Sequence, residues 1–240
     1  MAVRRTRAGR IISLVLRILL VLLIVAVLGI LFWRIASSGI PSSLKPILIT
    51  QKTLDGYHKA GEQFSGYYQN QNTITRSERA YGYFSVPSAV ILPDAGQVQI
   101  VFQFNHSTVR HLVEDYHLDT RPAYDEDLYD VTLVVTQDKT PEDPNDNTQI
   151  EALEQIRIHP SAVKSKSTGL YEFYRLVFDD VPIIPGVTVG VFVDVYYVGD
   201  VDYEQEPYGA LCIYDNRSEN LPYKFKKAEL TALKNGQTTS

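Results

Sequence analysis

Cysteine, methionine and tryptophan occur once each in the 240 residues, as Cys212, Met1 and Trp33. A single cysteine excludes an intrachain disulfide, and with it every small fold that depends on disulfide staples. Acidic residues are missing from the start of the chain: the first is Asp55, and before residue 37 all charge is arginine (Arg4, Arg5, Arg7, Arg10, Arg17 and Arg34). With those six set aside, 17 basic residues face 28 acidic ones, a net charge of -11. Such an exterior repels phosphate and argues against nucleic-acid binding. Also missing are a GxSxG elbow, a Walker loop, a glycine-rich dinucleotide fingerprint, any internal repeat and any βαβ alternation. Nothing therefore points to the enzyme classes those motifs mark, or to a doubly wound nucleotide fold. The chain is expected not to be an enzyme.

What is present divides the chain into two materials. Ile11 to Trp33 is apolar apart from Arg17. As a helix its 23 residues span roughly 34 Å, enough for a hydrocarbon core of ~30 Å. Arg17 lies close enough to the near end to snorkel, and Trp33 suits the far interface. Four arginines precede the run and only Arg34 closely follows it, so the positive-inside rule places the N-terminus in the cytoplasm. The run exceeds a usual signal-peptide core, although Ile35-Ala36-Ser37-Ser38 offers small residues for cleavage. An uncleaved signal anchor is expected, making this a single-pass cell-membrane protein with an extracytoplasmic C-terminal domain. Export without disulfides fits a bacterial envelope better than a eukaryotic secretory route.

The expected organisation is a basic cytoplasmic tail (1–10), the anchor (11–33), a stalk and membrane-proximal segment (34–80), a β domain (81–216) and a polar C-terminal tail (217–240). Residues 47–80 carry no clear periodicity. Beyond them the period is mostly two. In Gln97–Phe104, Val98, Ile100, Phe102 and Phe104 alternate with Gln97, Gln99, Val101 and Gln103. In 187–197, Val187, Val189, Val191, Val193 and Val195 share one face. Segments 81–86, 129–137, 155–159, 170–178 and 208–214 fit less strictly. About seven strands with turns between them predict an all-β, antiparallel sandwich of Ig-like or jelly-roll-like type. One short helix interrupts it, capped by Ser107, with Val109, Leu112, Val113 and Tyr116 on one stripe and Arg110 paired to Glu114.

Three residue sets are candidates for chemistry. His106, His111 and His117 lie near Glu114 and Asp115, and His111 and Asp115 are spaced to share a metal on a helix. That spacing is not a zinc-protease motif and equally describes a solvated helix face. Acidic residues form the second set: Asp138, Glu142, Asp143 and Asp146 in one loop, and Asp200, Asp202, Glu204 and Glu206 in another. In an extended chain the latter four project to one side, an oxygen-rich arrangement of the kind calcium takes. No other cofactor is implied. Tyrosine is the third set, with 16 copies. Tyr124, Tyr129, Tyr203 and Tyr208 lie in or beside loops, where a flat apolar ring with a polar tip serves recognition of sugars or proteins. Cys212 alternates with Leu211 and Ile213 and reads as a buried small hydrophobe. The favoured function is a cell-envelope binding or accessory module whose partner is an envelope protein or glycan. Alternatives are a calcium- or sugar-dependent surface hydrolase and a ligand-sensing subunit of a membrane complex.

Overall fold

The computed structural model describes residues 7–71, 83–124, 127–138, 153–184, 187–217 and 220–237. The chain forms two compact units, Met1–Gly39 and Ile40–Ser240. The first is one helix, α1 (Arg7–Ser38), whose 32 residues are long and apolar enough to cross a membrane. It outruns the expected 11–33 span because no helix breaker follows Trp33 until Gly39 and Pro41. Near its end the Ser37 hydroxyl donates back to the Trp33 carbonyl at 2.8 Å.

The second unit begins with α2 (Gln51–Ala60), then β1 (Tyr67–Gln71), β2 (Phe84–Leu92), β3 (Gln97–Asn105), α3 (Val109–Tyr116), β4 (Tyr129–Asp138) and β5 (Leu153–Ile158). It continues with β6 (Ala162–Thr168), β7 (Tyr171–Phe178), β8 (Thr188–Tyr197), β9 (Gly209–Asp215) and α4 (Lys227–Lys234). These strands form two antiparallel sheets, in the orders β1-β2-β3-β7-β6 and β5-β4-β8-β9. One core joins them: Ile100, Phe102 and Phe104 of β3 cluster with Leu133 and Val135 of β4 and Val191, Val193 and Val195 of β8. The alternating valines of β8 thus face the core as their period demands.

Three features differ from the sequence expectation. The two strands that periodicity missed, β1 and β6, are the two edges of the five-stranded sheet. Edge strands carry polar residues that blunt open pairing, and the exposed Lys164 and Lys166 of β6 do so here. The second difference is the outer face of β3, where Gln97, Gln99 and Gln103 are buried rather than solvated. The segment before α2 covers Gln97 and Gln99. The Ile47 N–H donates to Gln99 Oε1 at 2.9 Å, and Gln99 Nε2 donates to the Ile47 carbonyl at 2.6 Å. Gln97 Nε2 donates to Asp179 Oδ1 at 2.9 Å, and Leu44 packs on Val101 and Phe173. Third, beyond α1 the described residues hold α2 and α4 as well as the expected α3. Asn105, not Ser107, caps the turn that leads into α3, accepting from the Ser107 N–H at 2.9 Å.

The second compact unit runs from Ile40 to Ser240. Tyr68 N–H donates to the Leu221 carbonyl at 2.8 Å and Tyr223 N–H to the Gly66 carbonyl at 2.7 Å, so the C-terminal segment extends the β1 edge. Phe64, Tyr68, Tyr223 and Phe225 close a small apolar cluster around Leu48, Val90 and Leu92.

Helix α2 lies so close to the 3-10 turn Pro93–Ala95 that a Cβ on Gly56 would fall 2.8 Å from the Ala95 Cα and 2.8 Å from the Asp94 carbonyl oxygen. Both obstacles are backbone. Gly56→Ala is therefore expected to destabilise the domain by about 1–3 kcal/mol despite alanine's better helix propensity. Urea unfolding measures it, and an unchanged or raised midpoint would show that α2 does not dock there in solution.

Candidate functional site

The site begins with a mismatch in strand length. β4 pairs with β8 from Tyr129 onward, but β5 pairs with β4 only over Leu133–Asp138. At His159-Pro160 the chain leaves the four-stranded sheet and enters β6 of the other. Proline has no N–H to continue the ladder, so the crossing falls where pairing must stop. Beside the uncovered start of β4 a pocket of about 210 Å³ opens into the seam between the sheets. Three of its walls are aromatic: Phe102, Tyr129 and Tyr174. Val163 and Leu176 add aliphatic surface, and Asp127 and Asp130 contribute carboxylates. A broader open groove of about 700 Å³, including Leu118, Arg121, Pro122 and Tyr197, shares Asp127 with it.

Tyr129 is held by its ring, edge-on to Phe84 at 4.9 Å and to Phe104 at 4.8 Å between centroids. Its hydroxyl is buried with no hydrogen-bond partner among the described residues, and burial pushes its pKa well above the ordinary phenol value. Such an unmet group is costly in a fold and is often matched by a water or a ligand.

Asp130 connects this pocket to the acidic loop. The Tyr203 hydroxyl donates to Asp130 Oδ2. Tyr203 rests in turn on Arg157 of β5, whose guanidinium carbon lies 4.8 Å from its ring centroid and 5.2 Å from that of Tyr196. Arg157 also donates to Thr132 Oγ1 at 2.9 Å and pairs with the buried Asp194 at 3.6 Å. The loop is thus pinned to the outer face of its sheet by one cation between two rings.

The four acids of that loop do not converge. Asp200 ends the 3-10 turn Val198–Asp200, so the chain is not extended there. Asp202 accepts from the Glu204 N–H at 3.0 Å and from Gln205 Nε2 at 2.8 Å, an Asx-type turn that occupies its carboxylate. Asp200, Asp202, Glu204 and Glu206 are all exposed, and among the described residues no three His, Cys, Asp or Glu gather to hold a metal. In the other acidic loop Asp138 closes β4, while Glu142, Asp143 and Asp146 lie outside the described residues.

The histidines also diverge. His106 pairs with Glu172 at 3.0 Å and stacks on Tyr124 at 4.0 Å. His111 stacks on Tyr83 at 4.3 Å, with Glu114 3.4 Å away, and His117 forms the left-handed end of α3. Asp115, the proposed co-ligand of His111, instead accepts from the Tyr208 hydroxyl at 2.7 Å. Tyr208 is therefore a core residue rather than a surface one, its pKa raised by burial and by Asp115. Tyr124 and Tyr203 are exposed. Cys212 is half-buried on β9, its thiol donating to the Tyr214 carbonyl at 3.2 Å.

The residues missing from the sequence reading are Asp127, Asp130, Arg157 and the ring pair Phe102 and Tyr174. They come from separate stretches of chain, and only Pro160, directly after a short strand, signals the break that creates the pocket. Compared with known protein families, curated proteins and solved structures, the chain matches none.

Proposed function

We propose that this chain is a single-pass, membrane-anchored binding module of a bacterial cell envelope. α1 is its signal anchor with the arginine-rich end inside, and the two sheets form an Ig-like or jelly-roll-like β-sandwich displayed outside. The observation that carries the binding reading is the seam pocket: a concavity with aromatic walls and two carboxylates is built as ligand sites are, apolar in body and polar at a few points. The charge asymmetry around the anchor supports the orientation.

A photo-crosslinking residue at Val163, which is 57% exposed and lines the pocket, tests it in intact cells. The expected result is an adduct, of a protein or a smaller ligand, that is missing when the same residue replaces the distant Lys227. Equal labelling at both positions would overturn the binding reading. Protease added to the same cells is expected to remove the domain, and full protection would overturn the orientation.

A further inference from the structure

We infer that the seam pocket takes an organic ammonium, a cationic head carrying alkyl groups, held by the rings of Phe102, Tyr129 and Tyr174 and by the carboxylates of Asp127 and Asp130. This rests on the binding reading above and names its ligand chemistry.

The rings are set at angles rather than stacked: Phe102 meets Tyr129 at 71° and 6.4 Å, and Tyr174 at 48° and 6.3 Å between centroids. All three rings line the pocket, and aromatic walls attract alkylammonium groups through the negative potential of their faces. Among the described residues the lining is one-signed: two aspartates contribute and no lysine or arginine does. An anion is repelled there, and a neutral apolar group gains nothing from the carboxylates. A bare metal ion has only two carboxylates and rings to meet, which suits neither hard nor soft cations. An alkylammonium uses both, its methyl groups against the rings and its charge toward Asp127 and Asp130.

Two further facts fit. The pocket, at about 210 Å³, is below the size of a drug-like site and right for a compact head group. Asp130 is also fixed in advance, because the Tyr203 hydroxyl holds one of its oxygens. Positioning a charged group before the ligand arrives lowers the ordering cost of binding.

The test is titration calorimetry of the full chain in a maltoside detergent, with choline chloride as probe and 3,3-dimethylbutan-1-ol, its neutral isostere, as comparison. Choline is expected to bind, with the isostere at least about ten-fold weaker, since only the cation engages rings and carboxylates together. Asp127→Asn and Asp130→Asn are each expected to weaken choline about ten-fold while leaving the thermal midpoint of the exposed Asp127→Asn variant unchanged. Tyr129→Phe keeps the ring and is expected to keep choline binding. Phosphocholine separates the sources: binding of both probes identifies a lipid head group, and choline alone a free small cation. Equal affinity for choline and its isostere, or no binding of choline, overturns the ammonium assignment. A crosslinked adduct at Val163 alongside that negative result leaves the binding reading standing, whereas loss of both removes it.

Discussion

Arg157→Met is expected to lower the unfolding free energy by about 3–5 kcal/mol. Methionine keeps much of the aliphatic stem but removes the guanidinium 3.6 Å from Asp194, a carboxylate whose residue is 6% exposed. The loss has a second part, because Tyr203 and Tyr196 no longer share a cation between their rings. Urea unfolding of the full chain in detergent measures the total. Combining Arg157→Met with Asp194→Leu is expected to recover much of it, since an apolar pair leaves no buried charge behind. If the single variant unfolds at the wild-type midpoint, the cluster is surface decoration. The same cluster predicts an alkaline transition. Tyr203 is pushed up to about 12 from 10.0 by burial and by its hydrogen bond to Asp130. A raised phenol stabilises the fold fully below the unfolded value near 10 and loses that contribution as pH rises through about 12. The phenolate absorbance of wild type against Tyr203→Phe reads this directly, and a difference spectrum titrating entirely at the ordinary value would refute it.

Gln99→Leu is expected to cost about 2–3 kcal/mol and to loosen the strap that precedes α2. Gln99 is 1% exposed, so its amide meets little but protein. It both accepts from and donates to the Ile47 backbone and donates to Gln97 Oε1 at 2.9 Å. Leucine fills the volume but returns none of these bonds. Limited proteolysis should then cut between residues 40 and 60 faster than in wild type while the strands remain protected. An unchanged cleavage rate would mean that the strap is held by Leu44 and Leu48 alone. Asp179 at the end of this chain of amides makes the strap acid-sensitive. Burial pushes its carboxyl up, but hydrogen bonds from Ser161 and Gln97 and the charge of Lys52 together outweigh burial and hold it below the ordinary value. The resulting stability is present above the unfolded value and is lost as pH falls through the depressed folded one.

Alternation made the centre of each sheet legible. β3 and β8 lie at interior positions, and a strand buried against a core on one face must repeat its apolar residues every second position. The edges were not legible, because β6 has no such obligation and carries Lys164 and Lys166 outward. Gln97, Gln99 and Gln103 misled for a related reason: a glutamine row signals a polar face, yet water and a hydrogen-bonding strap satisfy it equally. Tyrosine surplus showed that rings matter but not where, since a phenol suits both the core and the surface. Tyr208 in the core and Tyr124 on the surface have the same composition signal and opposite burial. The pocket was illegible because its walls come from stretches around residues 102, 127–131, 160–163 and 174–176. The crossing at Pro160 joins them only in three dimensions.

Strand order bears on how the chain is made. β3 must wait for β7, which follows β4, β5 and β6, and β4 must wait for β8. The β1 edge is completed only by residues near Leu221 and Tyr223. A ribosome delivering this chain from the N-terminus therefore supplies β1, β2 and β3, which pair in sequence, long before β7 arrives to flank β3. Each sheet is joined by one non-local pairing, β3 with β7 and β4 with β8, and such pairing folds slowly. Most of the domain must be synthesised before either sheet is complete. A truncation that removes residues 220–240 would consequently disturb the fold at its earliest strand as well as at its last.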